Sequence, residues 1–572
     1  MSPPKASSTV RRWMKTMTLR DEVAQLVFIE FHGGSPNTRS RDYQKFVRLI
    51  RDTHVGGLIL TNAVTARGVQ KAEPYALAAF LNRMQRTARV PLMVGADFER
   101  GASMRISGTT PFPPAMAFGA AGDAGLTRFE GEVAAREARA MGIQWLYAPV
   151  ADVNNNPDNP IINIRSFGEN PQQVAEHVKA FIEGAHSDKR NYVLTTAKHF
   201  PGHGDTAVDT HLSLAQVTAG RERLEALELV PFRAAIQAGV DSIMTAHVAV
   251  PALAPPDVPA TLSPAILTGL LRDELGFKGL VITDALGMGA IVNGFGAGEA
   301  AVRALEAGAD ALLMPADADA AIRAVVAAVG SGQLSRQRIR ASVEKVLAAK
   351  ERVGLDRRRA VDVEAIGDVI DDPAANEKAE EIAERAVTLV RNGGNMVPLA
   401  APGTACFVTM TESRYSTDGV TFAHEVRKRS LKAPITALDG MMTGGQVDDA
   451  MAKLAACAQY VVAAFAPVNA GAGTVGMSSE LSRAIESLEA AGKPVALVAL
   501  GNPYLLRAYP KVTAYLATFS TVAPSETAAV KALWGEIAIR GHLPVTIPGE
   551  ARYGEGIQLA ATRGMTSSAN QK

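Results

Sequence analysis

The stretch TTAKHFPGHGDTAVDTH, residues 195–211, gathers three of the chain's ten histidines, two aspartates and a lysine. Packing problems are solved with apolar residues, so this composition asks for a chemical reason. One reading makes His199, His203, Asp205, Asp209 and His211 metal ligands, since these types suit Zn²⁺ or a non-haem iron. Against it, Pro201, Gly202 and Gly204 break any helix that would present ligands one turn apart, and Lys198 would place a cation beside the ion. The other reading is an acid–base loop. Asp209 stands two residues before His211, and on an extended loop its carboxylate can accept the imidazole N–H. Such a bond fixes the tautomer and stabilises the imidazolium of a group that titrates near neutrality.

An acid–base histidine needs a partner. Asp284, in GLVITDALGMGA, closes another apolar run, and Gly287 and Gly289 beyond it would let the backbone turn close to a substrate. Capping the following helix is the bland use of an aspartate there. A carboxylate facing a proton shuttle across a sugar-sized gap is the apparatus of a retaining glycosidase.

The elements that must position these groups are legible as a repeat. Eight short apolar runs, LVFIEF (26–31), VGGLIL (55–60), VPLMVGAD (90–97), IQWLYAPVAD (143–152), VLTTAKHF (193–200), DSIMTAHV (241–248), GLVITDA (279–285) and ADALLMPA (309–316), alternate with Ala-rich helical stretches. Eight β-then-α units predict a (β/α)₈ barrel, with a doubly wound open sheet as the alternative. Asp97, Asp152, Lys198, His199, His247 and Asp284 all end such runs, where βα loops converge on a barrel mouth. The barrel is assigned to residues 1–350 and a charged linker to 351–380. The pattern then restarts as a smaller α/β sandwich over 381–572, with strand candidates ACFVTM, YVVAAFA, PVALVALG and AYLATFS after a helix-like AEEIAERAVTLVRN. No comparable polar cluster occurs there.

A formal charge of +1 and no long charged block give no support to nucleic-acid or membrane-surface binding. No apolar window is long enough for a membrane span or a signal peptide, which predicts a cytoplasmic protein unless a leader has been removed. Cys406 and Cys457 lie far apart and read as two buried thiols rather than a disulfide framework.

KHFPGHGDTAVDTH resembles the pattern K-H-F-P-G-H-G-x-T-x-x-D-[ST]-H of the β-N-acetylglucosaminidase branch of glycoside hydrolase family 3. APVADVNNNPDNPIINIRSFGENP, VITDALGMGA, GNPYLL and GHLPVTIPG agree, and the resemblance spans nearly the whole chain. It implies Asp284 as nucleophile, His211 as acid/base and Asp209 as its orienting partner. It also implies a sugar pocket built from Asp97, Arg105, Arg165, Lys198 and His199, and no metal or organic cofactor. His203 and Asp205 are expected to shape the loop by bonding its backbone. The implied substrate is a small GlcNAc-containing glycan, from peptidoglycan or chitin, while a phosphorylase using the same residues and a β-glucosidase are the rivals. Oligomeric state is left open. Where many relatives read D-x-E-G-G-R this chain has Asp97-Phe98-Glu99-Arg100-Gly101, so Phe98 and Arg100 are expected to reshape the mouth.

Overall fold

The computed structural model describes residues 6–34, 36–65, 68–468, 471 and 475–562. Each of the eight runs contains a strand: β1 (Val27–Phe31), β2 (Gly57–Leu60), β3 (Met93–Ala96), β4 (Trp145–Leu146), β5 (Thr196–Phe200), β6 (Ser242–Thr245), β7 (Leu280–Ile282) and β8 (Leu312–Leu313). Parallel ladders join β8 to β1, β1 to β2, β2 to β3, β3 to β4, β5 to β6 and β6 to β7. Single parallel bridges, Trp145 to Leu194 and Ile282 to Ala311, complete the ring between β4 and β5 and between β7 and β8. The sheet is closed, so the open-sheet alternative falls. Apart from Glu30 in β1, the strand residues are buried on both faces because helices cover the outside while side chains fill the inside. Trp145 fills much of that interior, edge-on to Phe28 and Tyr147, and its indole N–H is satisfied by Thr196 and Ser242 hydroxyls.

The second half forms a six-stranded sheet: β9 (Thr388–Asn392), β10 (Cys406–Thr411), β11 (Ile435–Asp439), β12 (Tyr460–Ala466), β13 (Val495–Gly501) and β14 (Ala514–Ala517). Their spatial order is β9-β14-β13-β12-β10-β11, all parallel except β9. The helix read through AEEIAERAVTLVRN ends at Ala386; its last residues are β9, antiparallel to β14. The β-branched and apolar residues Thr388, Leu389 and Val390 suit a pleated surface better than a further helical turn. Each face of this sheet has its own apolar cluster, and one of them takes in Met116, Ala117, Ala120 and Ile164 from the barrel.

Cys406 and Cys457 are joined in a disulfide, with Cα atoms 6.1 Å apart. The expectation of two thiols is therefore corrected: sequence separation hid that the turn before β12 returns to the start of β10. Among the described residues no helix is long and apolar enough to cross a membrane.

Candidate active site

The βα loops enclose a cavity of about 800 Å³ lined by Asp97, Arg105, Tyr147, His211 and Asp284 among others. Four of the eight expected site residues thus line one cavity. Asp209, Arg165, Lys198 and His199 stand behind it.

Asp284 follows β7. Its Oδ1 accepts from the Ala285 N–H at 2.7 Å, and no helix starts there, so its use as a helix cap is set aside. Burial works to raise the Asp284 carboxyl, but His247, His199, the Ala285 N–H and Lys198 outweigh it and hold it below the ordinary carboxylate range. His247, which the sequence left without a role, braces this turn. Its Nε2 donates to the Ala285 carbonyl at 3.0 Å, and its Nδ1 lies 2.7 Å from the Thr261 hydroxyl. Because a carbonyl only accepts, the proton belongs on Nε2.

His211 lines the same cavity from the histidine loop. Asp209 Oδ1 accepts from the His211 backbone N–H at 2.9 Å and from Nδ1 at 2.8 Å. The Asp209 side chain is 0% exposed while that of His211 is 36% exposed. With Nδ1 committed to a carboxylate, Nε2 is the ring nitrogen left for the cavity. Gly289 brings the two catalytic segments together: its N–H donates to the His211 carbonyl at 3.2 Å, and a Cβ there would lie 2.6 Å from that oxygen. Its close approach is thus to the histidine loop rather than to a substrate.

The floor is an ion network. Asp97 accepts from Lys198 Nζ at 2.8 Å and from Arg105 at 2.7 Å. Lys198 also lies 2.6 Å from Glu99, which takes two bonds of 2.8 Å from Arg165. Burial opposes ionisation of Asp97 and Glu99, but the surrounding cations win and lower both carboxyls; Lys198 is raised in return, against its own burial. Arg165 is therefore committed to Glu99 and to the Ile161 carbonyl. His199 donates into Asp152, with Nδ1 at 2.7 Å from Oδ2, and Asp152 also accepts from the His203 N–H at 2.7 Å. Asp152 and Glu99, quoted but unassigned in the sequence, are the acceptors that organise this layer.

His203 and Asp205 do shape the loop, though through side chains rather than its backbone. His203 bonds the Thr206 and Thr210 hydroxyls, while Asp205 takes Arg223 and Asn155. Burial drives His203 down to about 4, which keeps it neutral. Gly204 passes so close to the Val153 carbonyl that a Cβ would stand 1.7 Å from it. The three histidines of the run thus serve three different partners, and among the described residues no group of three His, Cys, Asp or Glu side chains converges as metal ligands would.

Phe98 is wholly buried in the barrel core, so it does not reshape the mouth. Arg100 is half-buried, and its guanidinium is disfavoured by burial and Arg105 while Glu99 and Asp418 of the second domain favour it. Tyr147 was missed by sequence reasoning. It is 2% exposed, lines the cavity, and among the described residues its hydroxyl has no hydrogen-bond partner.

A model of the glycosyl hydrolase family 3 N-terminal domain matches residues 18–349, and one of the C-terminal domain of the same family matches residues 387–567. The chain is 32% identical over 371 residues to a β-N-acetylglucosaminidase/β-glucosidase of Cellulomonas fimi, covering 63% of this chain and 64% of that protein. It is 29% identical over 562 residues to β-hexosaminidase A of Pseudoalteromonas piscicida, covering 87% and 90%. Among solved structures, a glycoside hydrolase family 3 β-N-acetylglucosaminidase from Paenibacillus sp. str. FPU-7 superposes with a TM-score of 0.83 at 35% identity, covering 93% of this chain and 99% of that one.

Proposed function

The chain belongs to glycosyl hydrolase family 3, and on that premise we propose that it is a retaining exo-β-N-acetylglucosaminidase. It removes terminal β-linked GlcNAc from peptidoglycan fragments or chitin oligosaccharides. The observation that carries this reading is that Asp284 and the Asp209-oriented His211 line one cavity floored by Asp97 and Arg105. The names of the relatives support the sugar.

Asp284, held ionised, attacks the anomeric carbon while the His211 imidazolium gives its Nε2 proton to the leaving oxygen. The glycosyl ester and a neutral imidazole result. His211 then takes a proton from water, which attacks the same carbon and releases Asp284. Asp209 stabilises the imidazolium and fixes the tautomer. Asp97, whose two oxygens are already held by Lys198 and Arg105, presents a fixed anion to sugar hydroxyls. The layer of Glu99, Arg165, His199 and Asp152 keeps that floor rigid.

Because the deprotonated base is neutral, an anionic acceptor meets less repulsion here than beside a carboxylate base. Phosphate in place of water would make the enzyme a phosphorylase; products formed in phosphate and in a zwitterionic buffer separate the two. The primary test is p-nitrophenol release from the β-N-acetylglucosaminide and the β-glucoside, with and without EDTA, for wild type, Asp284→Ala and His211→Ala. Preference for the acetamido sugar, indifference to EDTA and loss in Asp284→Ala are expected. Activity that survives in Asp284→Ala, or falls with EDTA, overturns the reading.

A further inference from the structure

Asp209 has two carboxylate oxygens, and among the described residues the barrel provides donors to only one of them. Oδ1 serves the His211 backbone and ring, whereas Oδ2 accepts at 2.8 Å from the backbone N–H of Gly471, which follows β12 in the second domain. Other contacts between the domains fall elsewhere: Tyr504 with Asn154, Asn502 with Asn163, Arg507 with Asp158. The early part of the histidine loop is held by barrel groups, with Asn159 donating to the His203 and Gly204 carbonyls and Arg223 to Asp205. Among the described residues, Asp209 Oδ2 without Gly471 would be a buried anionic oxygen with no donor, a costly state.

We infer that the second domain is a working part of the acid/base dyad, with the Gly471 N–H as a positioning group that locks the Asp209 carboxylate and, through it, aims His211. The inference rests on the proposed role of Asp209 and His211. A carboxylate held at one oxygen swings about its terminal torsion and carries the imidazole with it. Held at both, it keeps Nε2 in line with the leaving oxygen, and misalignment by an ångström is costly in rate.

The loss of aim falls on proton delivery, so it shows most with a poor leaving group. The readout is kcat/KM, which reports the steps up to leaving-group departure, for N,N′-diacetylchitobiose against p-nitrophenyl β-N-acetylglucosaminide. Gly471→Pro deletes the donor, and its ring also forces φ away from the native +78°. Gly471→Ala keeps the donor and has nothing within 4 Å of the added methyl, at the cost of left-handed backbone strain, so it controls for the strain. Arg507→Ala cuts a domain contact away from Asp209. Gly471→Pro is expected to lose about 10-fold more on the disaccharide than on the nitrophenyl glycoside, a part of the roughly 10²- to 10⁴-fold that general acid catalysis supplies. Gly471→Ala and Arg507→Ala are expected to keep the wild-type ratio, and His211→Ala to show the full split. A split in His211→Ala with none in Gly471→Pro, or the same split in both Gly471 variants, overturns the inference. Absence of a split in His211→Ala overturns the reading beneath it. Independently of any change at Gly471, its amide should exchange slowly in the wild-type enzyme and quickly in Asp209→Ala; equal rates contradict the bond.

Discussion

Lys198 is clamped between Asp97 and Glu99 with its side chain 2% exposed. Removing one partner from a buried charge cluster costs more than the pair is worth, because the remaining charges stay buried. Lys198→Met should therefore destabilise the barrel by about 3–5 kcal/mol near neutrality. Both carboxyls are held below their ordinary values in the fold, so their contribution is present above the unfolded carboxylate range and is lost as pH falls through the depressed values. The gap between wild type and Lys198→Met, read from denaturant midpoints, should accordingly narrow below about pH 4; a gap that widens in acid contradicts the ion network. Tyr147→Phe makes the opposite case. It removes only a buried hydroxyl that no described residue pairs, so Tm should hold or rise, while KM for the acetamido glycoside increases several-fold if the sugar supplies that partner. At this scale the sequence offered Asp97, Arg105, Lys198, His199, Asp209, His211 and Asp284 as candidates, and the fold gathers them about one cavity, with Lys198, His199 and Asp209 behind its lining. Sequence alone could not say that Arg165 is spent on Glu99, nor that Tyr147 lacks a partner among the described residues, because those depend on which strands are neighbours.

Among the elements, the helix Ala124–Ala140 carries a buried acid, Glu137, whose Oε1 accepts from the Thr110 N–H and hydroxyl while Oε2 has no partner among the described residues. Burial raises this carboxyl to about 7, Thr110 notwithstanding. An acid with a raised folded pKa binds its proton more tightly in the native state, so stability falls as pH rises from the unfolded value toward about 7. Glu137→Gln should gain on wild type across that window, by about 3 kcal/mol at most above pH 7. Melting curves at pH 5 and pH 8 check it, and a gain larger at pH 5 contradicts it. The barrel strands were legible because nearly all are continuous apolar runs buried on both faces, with Glu30 in β1 and Lys198 and His199 in β5 as the charged or ionisable exceptions. β9 and β11 were not. β9 runs on from a helix without a turn residue between them, and β11 is an edge strand whose residues are mostly half-buried, so neither shows an unbroken apolar run.

Across the whole molecule, the two domains are built as one machine around the mouth: the carboxyl ends of the second sheet's parallel strands supply Gly471, Asn502 and Asp418 toward the barrel. The Cys406–Cys457 bond spans 51 residues of that domain. In the chain-entropy model a loop of this size contributes about 4 kcal/mol. Thiol titration of the denatured, unreduced protein should find no free thiol, and reduction should lower the melting temperature of the second domain; two free thiols contradict the bond. The measurement that bears most directly on the proposed chemistry is mass spectrometry of the enzyme incubated with a 5-fluoro-N-acetylglucosaminyl fluoride, in which the ring fluorine slows both steps and the fluoride leaves readily. A retaining mechanism through Asp284 predicts a single added glycosyl mass on the peptide that contains Asp284, and none in Asp284→Ala. A label on another residue, or no label together with inverted product stereochemistry by NMR, would contradict it.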